Sequence, residues 1–323
     1  MTVTDVFSPA ITSTTVRFIV VDANHVGQRI DNFLTTQLKG LPRSHLYRLL
    51  RKGEVRVNKG RIGPDYRLCE GDQVRIPPLR LAAAGDAVRP GNAVLEVVER
   101  QILYEDNNLL VLNKPAGLAV HGGSGLSYGA IEALRAIRPN SAFLELVHRL
   151  DRDTSGLLMV AKRRSTLRWL HEQLRRGEID KRYLALAQGR WQGGSREVNA
   201  PLEKSVLSSG ERRVRVSANG KIALTRFHPR RLYSNASLLE AELHTGRTHQ
   251  IRVHGAHVGH PLAGDDKYGD ERFNQALQGV GLHRLFLHAY SLRVTLEEGG
   301  KVRHFTAPLP VELEGVLERL AEG

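Results

Sequence analysis

Only one cysteine, Cys69, occurs in the 323 residues of the chain. A single thiol excludes an internal disulfide framework and a thiolate metal centre, and it suits a reducing compartment. The segment Met1–Thr15 has neither a basic start nor a sustained apolar run, so no secretory leader is read there. No apolar stretch approaches the ~20 residues of a membrane span. The glycine-rich stretch at 113–125 follows an apolar run, yet it lacks the Gly-Lys-Ser/Thr of a phosphate loop, and dinucleotide spacing is missing too. These absences point to the cytoplasm and away from membranes and nucleotide cofactors.

Acidic residues are scarce in one place. Across 29–61 nine Lys/Arg face only Asp31 and Glu54, a charge of +7, whereas the residues from 91 onward carry the same +7 spread over most of the chain. With a net charge of +13 and a pI near 10.2, the expected partner is a polyanion. Hydrophobic content of 41% with 25% charged residues is that of a globular chain, and the length suggests about two domains.

The order of patterns divides the chain as follows. Residues 1–16 read as a Thr/Ser-rich frayed tail. A strand at 16–21 is followed by a helix with Ile30, Phe33, Leu34 and Leu38 on one face. A second helix, capped by Ser44, turns Leu46, Leu49 and Leu50 inward and Tyr47, Arg48, Arg51 and Lys52 outward. Short strands at 55–57 and 73–76 close this region at about residue 80. An Ala/Pro/Gly-rich linker is read at 81–95, and a larger domain at 96–323. In that domain strands flank an acidic turn at 105–108, helices fall at 130–138 and 168–176, and a strand runs over 180–187. Gly, Ser and Asn turns punctuate 192–221, and Leu238, Leu239, Ala241 and Leu243 mark a further strand. Thr248 would cap a helix holding Ile251, His254 and Val258.

The stretch that organises the larger domain is His-Arg-Leu-Asp-Arg-Asp-Thr-Ser-Gly at 148–156. Apolar runs of strand length lie on both sides, so it reads as a charged loop between two buried strands, with Gly156 easing re-entry to the sheet. At the edge of an apolar core a carboxylate stays ionised only where positive charge replaces its lost hydration. Asp151 and Asp153 are two apart and point opposite ways in extended geometry, so one of them faces the site.

This stretch resembles the signature of the RluA family of pseudouridine synthases. The resemblance continues in Leu-Asn-Lys-Pro-Ala-Gly at 112–117, in Lys181-x-Tyr183, in the cluster 243–254, and in 284–289 and 305–308, covering about 17–320. Residues 17–80, with "LLRKGEVRVNKGRI", resemble the S4 RNA-binding domain. Within the family, "GQRIDNFL" and "LRKGEVRVNK" resemble the branch acting on large-subunit ribosomal RNA.

The resemblance implies an α+β chain: a small S4-type module, then a catalytic domain whose mixed, mainly antiparallel sheet is flanked by helices and loops. It implies a cofactor-free isomerisation in which uracil leaves ribose C1′, turns and rejoins through C5, in a protein acting as a monomer. Asp151 would be catalytic, Arg247 its paired arginine, and Tyr183 the ring against the base. Arg149 would rearrange around the flipped nucleotide, with His148, Thr154 and Lys114 completing the substrate-binding set. Arg48, Arg51 and Lys52 would meet phosphates, positioning the RNA without reading it.

Two other readings remain open on the residues. One is a metal-dependent RNA phosphodiesterase built from Asp151, Asp153 and the run His244, His249, His254, His257, His260, although Arg247 and Arg252 would repel a cation. The other is a non-catalytic S4-type ribosome-binding protein.

Overall fold

The computed structural model describes residues 12–13, 15–38, 41–80, 90–122, 127–206, 212–297 and 299–322. The chain divides into two compact units, residues 1–89 and 90–323.

In the first unit the elements are β1 (Thr12–Ser13), β2 (Arg17–Val20), α1 (Ile30–Gln37), α2 (Arg43–Lys52), β3 (Arg56–Val57), β4 (Gln73–Ile76) and β5 (Leu79–Arg80). Strands β2, β4 and β3 form an antiparallel sheet. Its core takes Ile30, Phe33, Leu34 and Leu38 from the first helical face and Leu46, Leu49 and Leu50 from the second, all at most 2% exposed. Gly53 ends α2 in the left-handed conformation at φ 68°, as its place after Arg51-Lys52 suggested. Two expectations fail here. Pro42, not Ser44, precedes the first turn of α2; no side chain caps the helix, and Ser44 lies within its first turn. Thr12–Ser13, expected in a frayed tail, pairs antiparallel with Leu79–Arg80. The expected linker lies outside the described residues over 81–89, and its end is helical.

The second unit contains α3 (Asn92–Arg100), β6 (Ile102–Glu105), β7 (Leu109–Lys114), α4 (Ala130–Ile137), β8 (Glu145–Leu146), β9 (Ser155–Ala161), α5 (Arg164–Arg176), β10 (Asp180–Gln188), β11 (Arg196–Asn199), β12 (Leu202–Val206), β13 (Arg212–Val216), β14 (Leu224–Leu232), β15 (Ala236–Leu243), α6 (Gln250–His257), α7 (Glu271–Gln278), β16 (Leu287–Thr295), β17 (Val302–Thr306) and α8 (Val311–Glu322). The expected boundary at 95/96 therefore cuts through α3, whose Val98 is fully buried. α7 and α8 were not anticipated either; both follow acidic or proline-rich turns and bury Phe273, Leu277, Leu313 and Val316.

A ten-stranded sheet dominates, in the order β11-β14-β15-β10-β16-β9-β7-β6, with β17 on β16 and β8 on β9. Its described pairings are antiparallel except β16 with β9. The sheet is buried on both faces, which explains why its central strands read as unbroken apolar runs. Along β7, Leu110 and Leu112 join one core while Leu109 and Val111 join the opposite one. Among the described residues no helix is long and apolar enough to cross a membrane.

The charged stretch is the loop between β8 and β9, as its apolar flanks suggested. At its end the backbone of Gly156 has φ 108°, and a Cβ there would lie 2.3 Å from the Ala289 carbonyl oxygen. Ala289 is its register partner across the parallel β9–β16 pair. Gly156→Ala should therefore lower the unfolding free energy by at least about 2 kcal/mol. Urea unfolding followed by circular dichroism measures this; an unshifted midpoint would mean the two strands have room to separate.

Candidate active site

The β8–β9 loop is held by backbone bonds before any side chain acts. Val147 N donates to Met159 O at 3.0 Å. One residue on, the His148 ring replaces a strand carbonyl, its Nε2 accepting from Met159 N at 3.1 Å. Burial, followed by the charge on Lys181, pushes the His148 pKa down to about 4, so the ring stays neutral and available for that bond. His148 thus holds the loop, and it also lines the cavity beside it. Lys114, in contrast, corrects the sequence reading. Its side chain is fully buried, and Nζ donates to the carbonyls of Pro115 (2.8 Å), Leu118 (2.8 Å) and Arg152 (3.0 Å). Burial brings its pKa down to about 7 despite Asp153 and Asp151. Lys114 is a tie between two loops and cannot meet a ligand.

With the loop fixed, Asp151 faces a cavity of about 500 Å³ together with Arg149, Thr154, Lys181, Tyr183, Arg247 and Arg252. Asp153 does not line it; it pairs with its neighbour Arg152 at 3.1 Å. Thr154 is buried, and its N–H donates to Asp151 O at 3.2 Å, closing the turn that presents the carboxylate. Arg149 is exposed at the rim. Tyr183 stands mid-strand on β10 with alanines as both register partners, Ala241 and Ala289. Those small neighbours leave space for a ring above the sheet. Burial and then the negative charge of Asp151 push the Tyr183 phenol up, keeping it protonated at neutral pH.

The arginine beside Asp151 is Arg252, not Arg247. Its Nη1 lies 3.7 Å from Asp151 Oδ2, and His249 Nε2 lies 3.8 Å from Oδ1. Arg247 is exposed and donates its Nε to Ile222 O at 3.0 Å. The reason lies in how the corner between β15 and α6 is built. The helix starts one residue later than Thr248 would have set it, with His249 preceding it in the left-handed conformation at φ 54°. The Gln250 side chain fastens the turn: Oε1 accepts from Arg247 N (3.0 Å) and Thr245 Oγ1 (2.7 Å), and Nε2 donates to Leu224 O (3.0 Å). Arg247 is left outside, while Arg252 enters on the buried face of the helix.

Arg252 is aimed by Asp265, which takes its Nε and Nη2 in two bonds of 2.6 Å. Burial alone would raise the Asp265 carboxyl, but Arg252 and the N–H groups of Tyr268 and Lys267 hold it below the usual carboxylate range. The guanidinium also lies 5.1 Å from the Tyr268 ring centre. The sequence reading missed His249, Arg252, Asp265, Tyr268 and Lys181 as site residues. The second arginine of the 243–254 cluster was the available signal, since it falls on the helical face with Ile251 and His254.

The histidine run does not form a metal site. His254 bonds Thr225 and Ala200 O, His260 bonds Gln188 O, and His249 bonds Tyr268. Among the described residues no group of three or more His, Cys, Asp or Glu is placed to hold a metal.

The RNA pseudouridylate synthase family matches residues 108–257, and the S4 domain family matches residues 28–74. The chain belongs to the RNA pseudouridylate synthases of the RluA type, isomerases, with an S4 domain ahead of the catalytic unit. It is 54% identical to ribosomal large subunit pseudouridine synthase C of Haemophilus influenzae over 97% of each chain. It is 56% identical to the Escherichia coli K12 protein of that name, over 94% of this chain and 97% of that one. Among solved structures it is similar to human RNA pseudouridylate synthase domain containing 4, with 26% identity, a TM-score of 0.59, and coverage of 71% of this chain and 96% of that one.

Because Asp265 orients the arginine, losing the fork or its holder should have the same consequence. Arg252→Lys and Asp265→Asn should each lower kcat about 100-fold, the effect of a misplaced cation. The double variant should be scarcely worse than either single one. Losses that multiply in the double variant would show that Asp265 acts otherwise than through Arg252.

Proposed function

We propose that this chain isomerises specific uridines of large-subunit ribosomal RNA to pseudouridine, as a monomer in the cytoplasm, with Asp151 as the reacting carboxylate. The observation that carries the reading is the composition of the cavity: Asp151 is its one carboxylate, among Arg149, Arg175, Lys181, Arg247 and Arg252. The names of the relatives at 54% and 56% identity supply the substrate class.

The target uridine leaves its stack at a cost of a few kcal/mol. Arg149, exposed at the rim, fills the space it leaves, and the base lies against Tyr183. Asp151 then acts on the ribose, as nucleophile at C1′ or as base at the 2′ hydrogen. The glycosidic C1′–N1 bond breaks, C5 bonds to C1′, and the C5 proton is exchanged for one on N1. No electrons enter or leave, so the chemistry calls for positioning and charge compensation. His148 and Lys114 contribute by holding the loop that presents Asp151.

The S4 unit supplies affinity. Arg48, Arg51 and Lys52 lie exposed on α2, and the opposite face of that helix is locked into the core through Leu46, Leu49 and Leu50. These cations meet phosphates.

The test is incubation with a large-subunit rRNA transcript and mapping of carbodiimide-modified uridines. Wild type should mark a small set of sites. Asp151→Asn should mark none while binding RNA within about threefold of wild type, since it removes charge and little shape. Modification by Asp151→Asn would remove that carboxylate from the chemistry.

For the S4 unit, reversing Arg48 and Arg51 to Glu should flatten the slope of log affinity against log salt by at least about 1.5, at ~0.7–0.9 per phosphate contact. An affinity series between low and moderate salt measures it, and an unchanged slope would leave those side chains as a solvated face.

A further inference from the structure

Lys181 is the one described cation of the cavity that has lost most of its water without gaining a partner. It lies on β10, two residues before Tyr183, and both line the cavity. No hydrogen bond or ion pair to Lys181 is formed by the described residues. Arg252 has Asp265, Arg175 has Glu172, and Arg247 has the Ile222 carbonyl. Arg149 also lacks such a bond, but it is exposed and solvated. Lys181 is half-buried and faces the backbone of Gly246 across the cavity, where a Cβ on Gly246 would lie 4.0 Å from Nζ.

A desolvated ammonium without a counter-ion is unfavourable in the empty protein. The cost is recovered when an anion arrives with the ligand, and the only anions an RNA offers are its phosphates. Lys181 and Tyr183 lie two apart on β10, about 6.6 Å along the strand, and both line the cavity. That matches the step from a base and sugar, placed at Tyr183 and Asp151, to the adjoining phosphate. Gly246, lacking a side chain, leaves the approach open.

We infer that Lys181 is the anchor for a backbone phosphate adjoining the flipped uridine. The inference rests on the proposed isomerase reading and deepens it: Lys181 sets where the strand is gripped, and thereby which nucleotide comes to lie over Asp151. Burial alone brings the Lys181 pKa down to about 8, and a bound phosphate would raise it again. Affinity is then full below pH 8 and weakens above it as the free protein loses the Lys181 proton. The groups facing Lys181 are His148, Arg149 and Asp151 from the β8–β9 loop, and Arg175 from α5. His244, Arg247, His249 and Arg252 face it from the corner and α6, and Tyr183 from its own strand.

The test separates Lys181 from these neighbours by altering the RNA instead of the protein. Stem-loops built around one uridine mapped in the rRNA experiment are made with normal linkages, or with a neutral methylphosphonate on the 5′ or the 3′ side of that uridine. Affinity is read by fluorescence anisotropy from pH 6.5 to 9.5, without need of turnover, and pseudouridine formation on the normal RNA tests the underlying reading separately. With wild type, one of the two neutral linkages should weaken binding about tenfold at pH 7 and abolish the weakening above pH 8. Lys181→Gln should bind normal RNA about tenfold more weakly, show no further loss on that neutral linkage, and recover in large part as Lys181→Arg. A wild-type pH dependence that persists on both neutral linkages overturns the assignment, even if the variants fail to fold. Losses from variant and linkage that multiply overturn it too.

Discussion

The site depends on a buried ion pair, the two-point grip of Asp265 on Arg252. Such pairs are poor sources of stability, because both ions give up hydration. What this one supplies is direction. Asp265 cannot turn, since its carboxylate also receives the N–H groups of Lys267 and Tyr268. Its backbone is in turn clamped by Asn274, whose Nδ2 donates to Asp265 O and whose Oδ1 accepts from Gly264 N. The guanidinium held this way has one nitrogen left over, Nη1, and that nitrogen is the one nearest Asp151. The Asp151 carboxylate is therefore faced by a cation whose position is set elsewhere in the fold.

The sheet provides the complementary constraint. Tyr183 could not stand in the cavity between two bulky cross-strand neighbours, and alanines occupy both positions. Gly156 allows β9 to approach β16 at their one described parallel junction, which draws the β8–β9 loop up beside Tyr183. Packing on both sheet faces makes these strands rigid, so the polar residues at their ends inherit the precision of an apolar core.

Most of the architecture was legible in the sequence because it follows from periodicity. The faces of α1 and α2 and the paired apolar runs around 148–156 each record burial directly. What escaped was set by hydrogen bonds that leave no periodic trace. The corner that chooses Arg252 over Arg247 rests on a left-handed histidine and on one glutamine side chain reaching Thr245, Arg247 and Leu224. Thr248 offered a more familiar cap and shifted the expected helix start by one residue. The roles of Lys114 and His148 as loop ties escaped for a related reason. Each belongs to a motif that borders the cavity, and sequence alone does not distinguish a charged group aimed at a ligand from one spent on backbone carbonyls and amides. The beginning of α3 was hidden by the Pro/Gly-rich composition just before it.

An enzyme that holds a carboxylate ready and must also admit a polyanion faces opposed electrostatic demands. A cavity lined only by well-paired cations would neutralise Asp151 but leave the incoming phosphates unrewarded. One lined only by free cations would attract RNA at any phosphate and blur the choice of nucleotide. The arrangement around Asp151 grades its cations by how tightly they are constrained. Arg252 is fully committed to carboxylates, Arg149 is solvated and free to move, and Lys181 lies between, desolvated yet unpaired. On the proposed reading, long-range attraction falls to the exposed Arg48, Arg51 and Lys52 on the S4 unit, where salt screens it and the gain is indifferent to sequence. Discrimination is left to the few buried groups, where an unmatched charge is costly and a misplaced strand is correspondingly disfavoured.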